Sequence, residues 1–178
     1  MVATRTGYAG GTVPEPRYHL VGDHLEAVEV TYDPARIGYE ELLAVFWASH
    51  PTAGAAGPSR TREAALWADE DQHRLALASR RVAARRAGEP VSTAVRPLER
   101  FWPAEPMHQK FHLQRLAPGL VAELAPRLGG VDALLATTGA ARLNGWLGGF
   151  GGDATLAEAA AELGLDPLEL RRRLRRAP

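Results

Sequence analysis

Alternation is clearest between Glu26 and Tyr32. Glu26, Val28, Val30 and Tyr32 fall on one face, and Ala27, Glu29 and Thr31 on the other. That is the period-two signature of a β-strand, and Asp33-Pro34 stops it. Upstream, Val2 to Tyr8 is rich in β-branched residues and predicts another strand, ended by Gly10-Gly11. A Pro-containing loop, Val13 to Asp23, joins the two. Tyr39, Leu42, Leu43, Phe46 and His50 then recur at helical spacing, which predicts a helix over Gly38 to Ser49, closed by Pro51.

The loop Thr52 to Arg60 is built from Ala, Gly, Pro and Ser. Ala64-Ala65-Leu66-Trp67 is a short strand candidate despite the weak β-propensity of alanine. Asp69-Glu70-Asp71 places acids at the start of a long helix. Arg85 and Arg86 sit at its end before Gly88, an order that suits the helix dipole. A strand over Val91 to Val95 follows, limited by Pro97. Beyond Gln114 the pattern becomes one of short helices: Leu120 to Leu128, Val131 to Leu135, Leu156 to Leu163 and Pro167 to Arg175. The glycines Gly145, Gly148, Gly149, Gly151 and Gly152 divide them.

This order predicts an α+β fold: a two-layer sandwich with a mixed or antiparallel sheet, plus a C-terminal helical appendage. Residues 1–115 form the expected domain and 116–178 the extension. The length of 178 residues suits one domain with an appendage. Charges balance at 21 basic and 21 acidic residues, so the chain as a whole has no excess that points to nucleic acid. No apolar run approaches the roughly 20 residues of a membrane helix, and the first residues are too short and polar for a signal peptide. A cytoplasmic location is the default expectation. The chain has no cysteine, which excludes a disulfide, a thiolate nucleophile and a cysteine metal site within it.

Glu26 is the first candidate for chemistry. If its strand face is the core face, its carboxylate sits at the edge of the core, where desolvation raises its pKa and favours a proton-donating acid. The alternative is a strand-end glutamate with its head in water. His24 and Asp23 lie beside it. They suit positioning of the carboxylate better than metal ligation, because no third ligand is evident. His108 and His112 are four apart, as zinc ligands on a helix can be, but the residues between them lack the glutamate of a metalloprotease motif. No metal site is expected.

Several segments together carry a family resemblance. They are Gly7-Tyr8-Ala9-Gly10-Gly11, Tyr18, Gly22-Asp23-His24-Leu25-Glu26, Glu29-Val30-Thr31-Tyr32-Asp33-Pro34 and Pro103-Ala104-Glu105-Pro106-Met107-His108-Gln109. They resemble methionine sulfoxide reductase A, strongly over residues 1 to 115 and weakly in the tail. The resemblance implies reduction of the S-epimer of methionine sulfoxide, in proteins or free, through a cysteine that becomes a sulfenic acid and is recycled by thioredoxin. It implies that Glu26 binds and protonates the sulfoxide oxygen and that Tyr18 helps hold it. It places His24 beside the carboxylate, matches Arg62 to the family's Gln-Tyr-Arg-Ser-Ala segment, and sets His108 in a segment packed beside the active site.

The departures from the pattern are equally specific. The family's Gly-Cys-Phe-Trp-Gly segment, at a strand-to-helix junction near the start, has no counterpart. The second oxygen-binding tyrosine falls on Thr61. The aspartate of the preceding loop is absent from Thr52 to Arg60, and His50-Pro51-Thr52 stands where the family has His-Asp-Pro-Thr. The chain by itself is therefore expected to be inactive as a reductase, with no cofactor and no thiol to receive electrons from thioredoxin. A start assigned too late and a degenerate relative both account for the pattern. A non-catalytic binding module for oxidised methionine is the alternative function. A second alternative is nucleic-acid binding through the basic helix pair that ends in Arg171, Arg172, Arg173, Arg175 and Arg176. A helical hairpin packed on its own domain explains the same residues, and the Ala-Arg-Leu-Asn-Gly run at Ala141 to Gly145 resembles the tail of one branch of the family.

Overall fold

The structure is a computed structural model that describes residues 2–51 and 64–174. The chain divides into two compact units, one of Gly7–Ala104 and one of Met1–Thr6 with Glu105–Pro178.

The first of these units is built on two sheets. Strand β1 (Ala3–Ala9) lies between β2 (Leu25–Thr31) and β5 (Phe101–Pro103) in a three-stranded sheet, and β3 (Ala64–Trp67) pairs with β4 (Ala94–Pro97) in a two-stranded one. β1 and β5 run antiparallel, with Gly7 opposite Pro103 and Ala9 opposite Phe101. β3 and β4 run parallel, Ala64 opposite Ala94. The sequence predicts a single mixed or antiparallel sheet, whereas the described strands form two. The strand expected over Val91 to Val95 is displaced to Ala94–Pro97, because the partner β3 sets the register. Pro97 is tolerated at the strand's last position, where it need not continue the ladder. β5 is too short and too proline-rich to be visible in the pattern, and it exists through its pairing with β1. Gly7 permits that pairing: a Cβ there would lie 2.3 Å from the Trp102 carbonyl oxygen.

Two helices complete this unit. α1 (Tyr39–Ala48) starts where the Gly38 N–H donates to the Glu41 carboxylate at 2.8 Å. α2 (Glu70–Ala87) is capped by Asp69, whose side chain accepts from the Gln72 N–H at 2.8 Å, and ends at Gly88 in the left-handed region. Leu43, Ala65 and Ala76 are buried together, with Tyr39, Phe46, Trp47, Leu75 and Val95 packed on them. The Trp47 indole N–H donates to Ser79 Oγ at 2.9 Å, which satisfies its polar end.

The other unit is helical. It contains α3 (Phe111–Leu116), α4 (Pro118–Leu124), α5 (Val131–Leu135), α6 (Thr138–Leu147), α7 (Asp153–Glu162) and α8 (Pro167–Leu174). Its core gathers Leu113, Leu124, Leu134, Leu143, Leu156, Leu163 and Leu170. α6 is not among the helices the sequence pattern predicts, and Gly145, expected to divide helices, lies inside it. The Ala-Arg-Leu-Asn-Gly run has structural work here. Arg142 bridges to Glu158 at 2.5 Å and Glu162 at 3.3 Å, tying α6 to α7. The Asn144 side-chain oxygen accepts from the Leu113 N–H at 3.1 Å and satisfies an orphan donor in the first turn of α3.

Two side chains of the 105–110 segment bind the backbone of residues 4–6. The Gln109 amide accepts from the Thr6 N–H at 2.9 Å and donates to the Thr6 carbonyl at 2.8 Å, as a neighbouring strand would. Lys110 is 6% exposed, holds φ at 46°, and donates to the Thr4 carbonyl at 2.7 Å. Burial pushes its pKa below the ordinary lysine value. The unfolded chain therefore holds this proton more tightly than the folded one. Stability accordingly rises with pH from the lowered folded value up to the ordinary value of about 10.4. Thermal unfolding followed from about pH 8 to about pH 10 should show that rise in the native chain, and Lys110→Met should flatten it.

Candidate active site

A cleft of about 890 Å³ opens in the Gly7–Ala104 unit. β2 and β3 form its walls, and Tyr39, Leu42, Leu43 and Phe46 of α1 contribute its apolar floor. Glu26 and Glu29 both line it, and His50 lies among its lining residues. His50 is oriented by two bonds: one ring nitrogen lies 2.9 Å from the Phe46 carbonyl and the other 2.9 Å from the buried Thr93 hydroxyl. Phe46 and His50 rings meet with centroids 4.6 Å apart. The helical spacing places Tyr39, Phe46 and His50 on one stripe. Their role as cleft-lining residues is set by the absence of a described element over that stripe.

Glu26 is exposed, and so is Val28 on the same strand face, at 63%. The expected burial of that face is corrected by this placement. None of the described residues covers it, and the carboxylate stands exposed in the open cleft. Leu25, immediately before, is buried and anchors the start of the strand.

His24 is 1% exposed and belongs to the loop between β1 and β2. Its Nδ1 lies 3.2 Å from the Gly11 nitrogen, and its Nε2 lies 2.8 Å from the Val13 carbonyl oxygen. The Gly11 N–H can only donate and the Val13 carbonyl can only accept. Nδ1 therefore accepts, Nε2 carries the proton, and the imidazole is neutral. A Cβ at Gly11 would lie 2.5 Å from the His24 backbone nitrogen, which is why a glycine stands there. Beside it, Asp23 accepts from the Thr12 N–H at 2.9 Å and from the Thr12 hydroxyl at 3.1 Å. The Thr12 backbone hydrogen bond chiefly holds the Asp23 carboxyl below the usual range. Together His24 and Asp23 pin residues 11–13 to the entry of β2, two positions before Glu26.

Tyr18 lies in the tight turn where Arg17 and Leu20 bridge, is 43% exposed, and meets the His19 ring edge-on at 5.1 Å. It is not among the residues that line the cleft. His108 is half-buried in the other unit, in a short 3₁₀ turn over Pro106–His108. Arg62, Thr61 and the Thr52 to Arg60 loop lie outside the described residues, as do Arg175 and Arg176. Among the described residues no three metal-binding side chains cluster, and no helix is long and apolar enough to cross a membrane. In α8, Arg171 pairs with Asp153 and Arg173 with Glu123. Hydrogen bonding to Arg173 holds the Glu123 carboxyl below its ordinary range.

The scaffold is thus a mixed helix-and-strand protein with an acid-bearing apolar cleft. Residues 1–128 match the family described as peptide methionine sulfoxide reductase. A peptide methionine sulfoxide reductase of Drosophila melanogaster is 38% identical over 175 residues, 95% of this chain and 68% of its own length. Peptide methionine sulfoxide reductase A5 of Oryza sativa subsp. japonica is 38% identical over 82% of this chain and 59% of its own. Among solved structures, methionine sulfoxide reductase A of Corynebacterium diphtheriae aligns with a TM-score of 0.55 at 26% identity, covering 65% of this chain and 66% of that one. Reduced Mxr1 from Saccharomyces cerevisiae shares the fold, with a TM-score of 0.57 at 19% identity over 63% of this chain and 70% of its own. The chain belongs to the methionine sulfoxide reductase A family.

Replacing His24 by phenylalanine keeps the ring but leaves the Gly11 N–H and the Val13 carbonyl without their partner. It should lower stability by about 2–4 kcal/mol in denaturant unfolding. The Asp23 clip has a different signature. Because its folded pKa is depressed, its contribution is complete above the unfolded value of about 3.9 and is lost as pH falls through the folded value. The Thr12 amide resonance should therefore move toward its unbonded position only at that acidic end. In Asp23→Asn it should show no such titration.

Proposed function

We propose that this chain recognises methionine sulfoxide in proteins or peptides and does not reduce it unaided. The observation that carries the reading is a carboxylate at the mouth of an apolar cleft, on the scaffold of this family, in a chain of 178 residues without a cysteine. A sulfoxide presents a polar S–O group and an apolar methyl. Tyr39 and Phe46 offer aromatic surface to the sulfur and methyl. By the family resemblance Glu26 binds the oxygen through its carboxyl group, and the phenol of Tyr18 is assigned to the same oxygen. His24 acts as a positioning residue, since its ring fixes the loop that leads into β2. Arg62 stands as a further substrate-binding residue by the same resemblance.

Reduction needs more than binding. A thiolate attacks sulfur, the oxygen takes protons and leaves as water, and a second thiol closes a disulfide. Each turnover thus converts one sulfoxide and two thiols to one thioether, one disulfide and one water. This chain supplies the acid in that balance and neither thiol, so thioredoxin has no disulfide here to reduce. The reading of the tail as a nucleic-acid binder is less well supported than a packed hairpin. Arg171 and Arg173 are already engaged by carboxylates, and Leu156, Leu163 and Leu170 are buried in one core.

Calorimetry should detect a peptide carrying the S-sulfoxide and should find the same peptide with unoxidised methionine markedly weaker. Glu26→Ala should weaken sulfoxide binding by about tenfold, the value of one hydrogen bond. With dithiothreitol as the only thiol, thioether should form no faster than in buffer. Turnover well above that background would refute the assignment.

A further inference from the structure

Sulfur is scarce in this chain. It has no cysteine and two methionines, Met1 and Met107. Methionine is ordinarily a core residue. Met107 instead sits in the helical unit, in the middle of the 3₁₀ turn Pro106–His108, and is 68% exposed. The turn is held without its side chain. The His108 N–H donates to the Glu105 carbonyl at 2.9 Å, and the Gln109 N–H to the Pro106 carbonyl at 3.1 Å. The Gln114 side-chain amide donates to the Pro106 carbonyl at 2.8 Å and to the Gln109 carbonyl at 2.6 Å. The buried clusters of the chain are gathered from other residues. A sulfoxide at Met107 would place its polar oxygen in water and cost the core nothing. Two conditions favour oxidation of a thioether by a peroxide: access to the sulfur, and no thiolate that reacts first. Both hold here.

We propose that Met107 is a reversible oxidation site, and that its sulfoxide is a surface substrate for a cysteine-bearing methionine sulfoxide reductase acting on this chain from outside. In the forward step a sulfur lone pair takes one oxygen of hydrogen peroxide, the O–O bond breaks, and the other oxygen leaves as water. The sulfur loses two electrons and the peroxide gains them. In the return step two thiols of the reductase supply two electrons and two protons. One thioether, one disulfide and one water result. The second protein is required because this chain holds no thiol. An exposed sulfur takes oxygen on either lone pair, so both epimers form, and each is reduced by its own enzyme. None of these steps involves the Glu26 cleft.

The test treats the full folded chain with hydrogen peroxide and then digests it with trypsin. The peptide 101–110 contains Met107 and no other sulfur, so one added oxygen, located by fragmentation, reports this site. Oxidation should run within about threefold of the rate for N-acetylmethionine amide. The amide resonances of Thr4 to Thr6, which Gln109 and Lys110 hold, should stay in place. With dithiothreitol, added reductase A should clear about half of the sulfoxide from the folded chain, and the reductase for the other epimer should clear the rest. Dithiothreitol without added enzyme should clear none. The proposal is overturned if Met107 oxidises more than about tenfold slower than the model compound. It is equally overturned if both reductases repair only the urea-unfolded chain, since the fold would then shield the site. Loss of the sulfoxide with dithiothreitol alone would also overturn it, because no second protein would be needed.

Discussion

The backbone of β1 is the constraint on which the structure around it depends. Every buried N–H and carbonyl of a strand needs a partner, and this strand takes its partners from unusually varied sources. β5 pairs with residues 7–9 and β2 flanks the same strand in its sheet. The Gln109 amide serves both backbone groups of Thr6, the Lys110 ammonium serves the Thr4 carbonyl, and the Thr138 hydroxyl serves that of Val2. Side chains from the 105–110 segment thus do for the first half of the strand what β5 does for the second. This gives physical content to the His108-Gln109 signature. Its glutamine is a substitute strand residue, and the lysine after it tolerates burial because its charge has a carbonyl to bind.

The same economy shapes the loop that leads to Glu26. A neutral imidazole and a carboxylate, neighbours in sequence, divide the labour of closing it. His24 binds Gly11 and Val13, while Asp23 binds Thr12. Glycine at position 11 lets the ring approach, and buried Leu25 converts the pinned loop into a strand. What results is an acid held at a fixed place on an open wall. The placement is rigid, but the environment is wet.

Elements governed by local chemistry were legible in the chain. α2 is framed by Asp69 and Gly88, whose capping roles depend on residues only a few positions away. The strand at Ala64–Trp67, like β1 and β2, follows from short-range pattern. β5 was not legible, since three residues including a proline carry no period and owe their conformation to Gly7–Ala9, nearly a hundred residues earlier. α6 was hidden by its glycines. Gly139 disfavours a helix by propensity, yet a Cβ there would lie 2.8 Å from Leu163, so close packing of α6 on α7 requires it. The basic run in α8 suggested phosphate contacts, and its carboxylate partners Asp153 and Glu123 are distant in sequence.

The sequence by itself determined the family, the missing thiol and the candidate acid, because residue identity and spacing are properties of the chain alone. It also determined that Glu26 shares a face with Val28. Only the tertiary structure decided that this face is open, that His24 is spent on backbone groups, and that the strands divide into two sheets around a cleft. Alternation tells which side chains lie together, but coverage depends on elements remote in sequence, and no local period encodes their presence or absence.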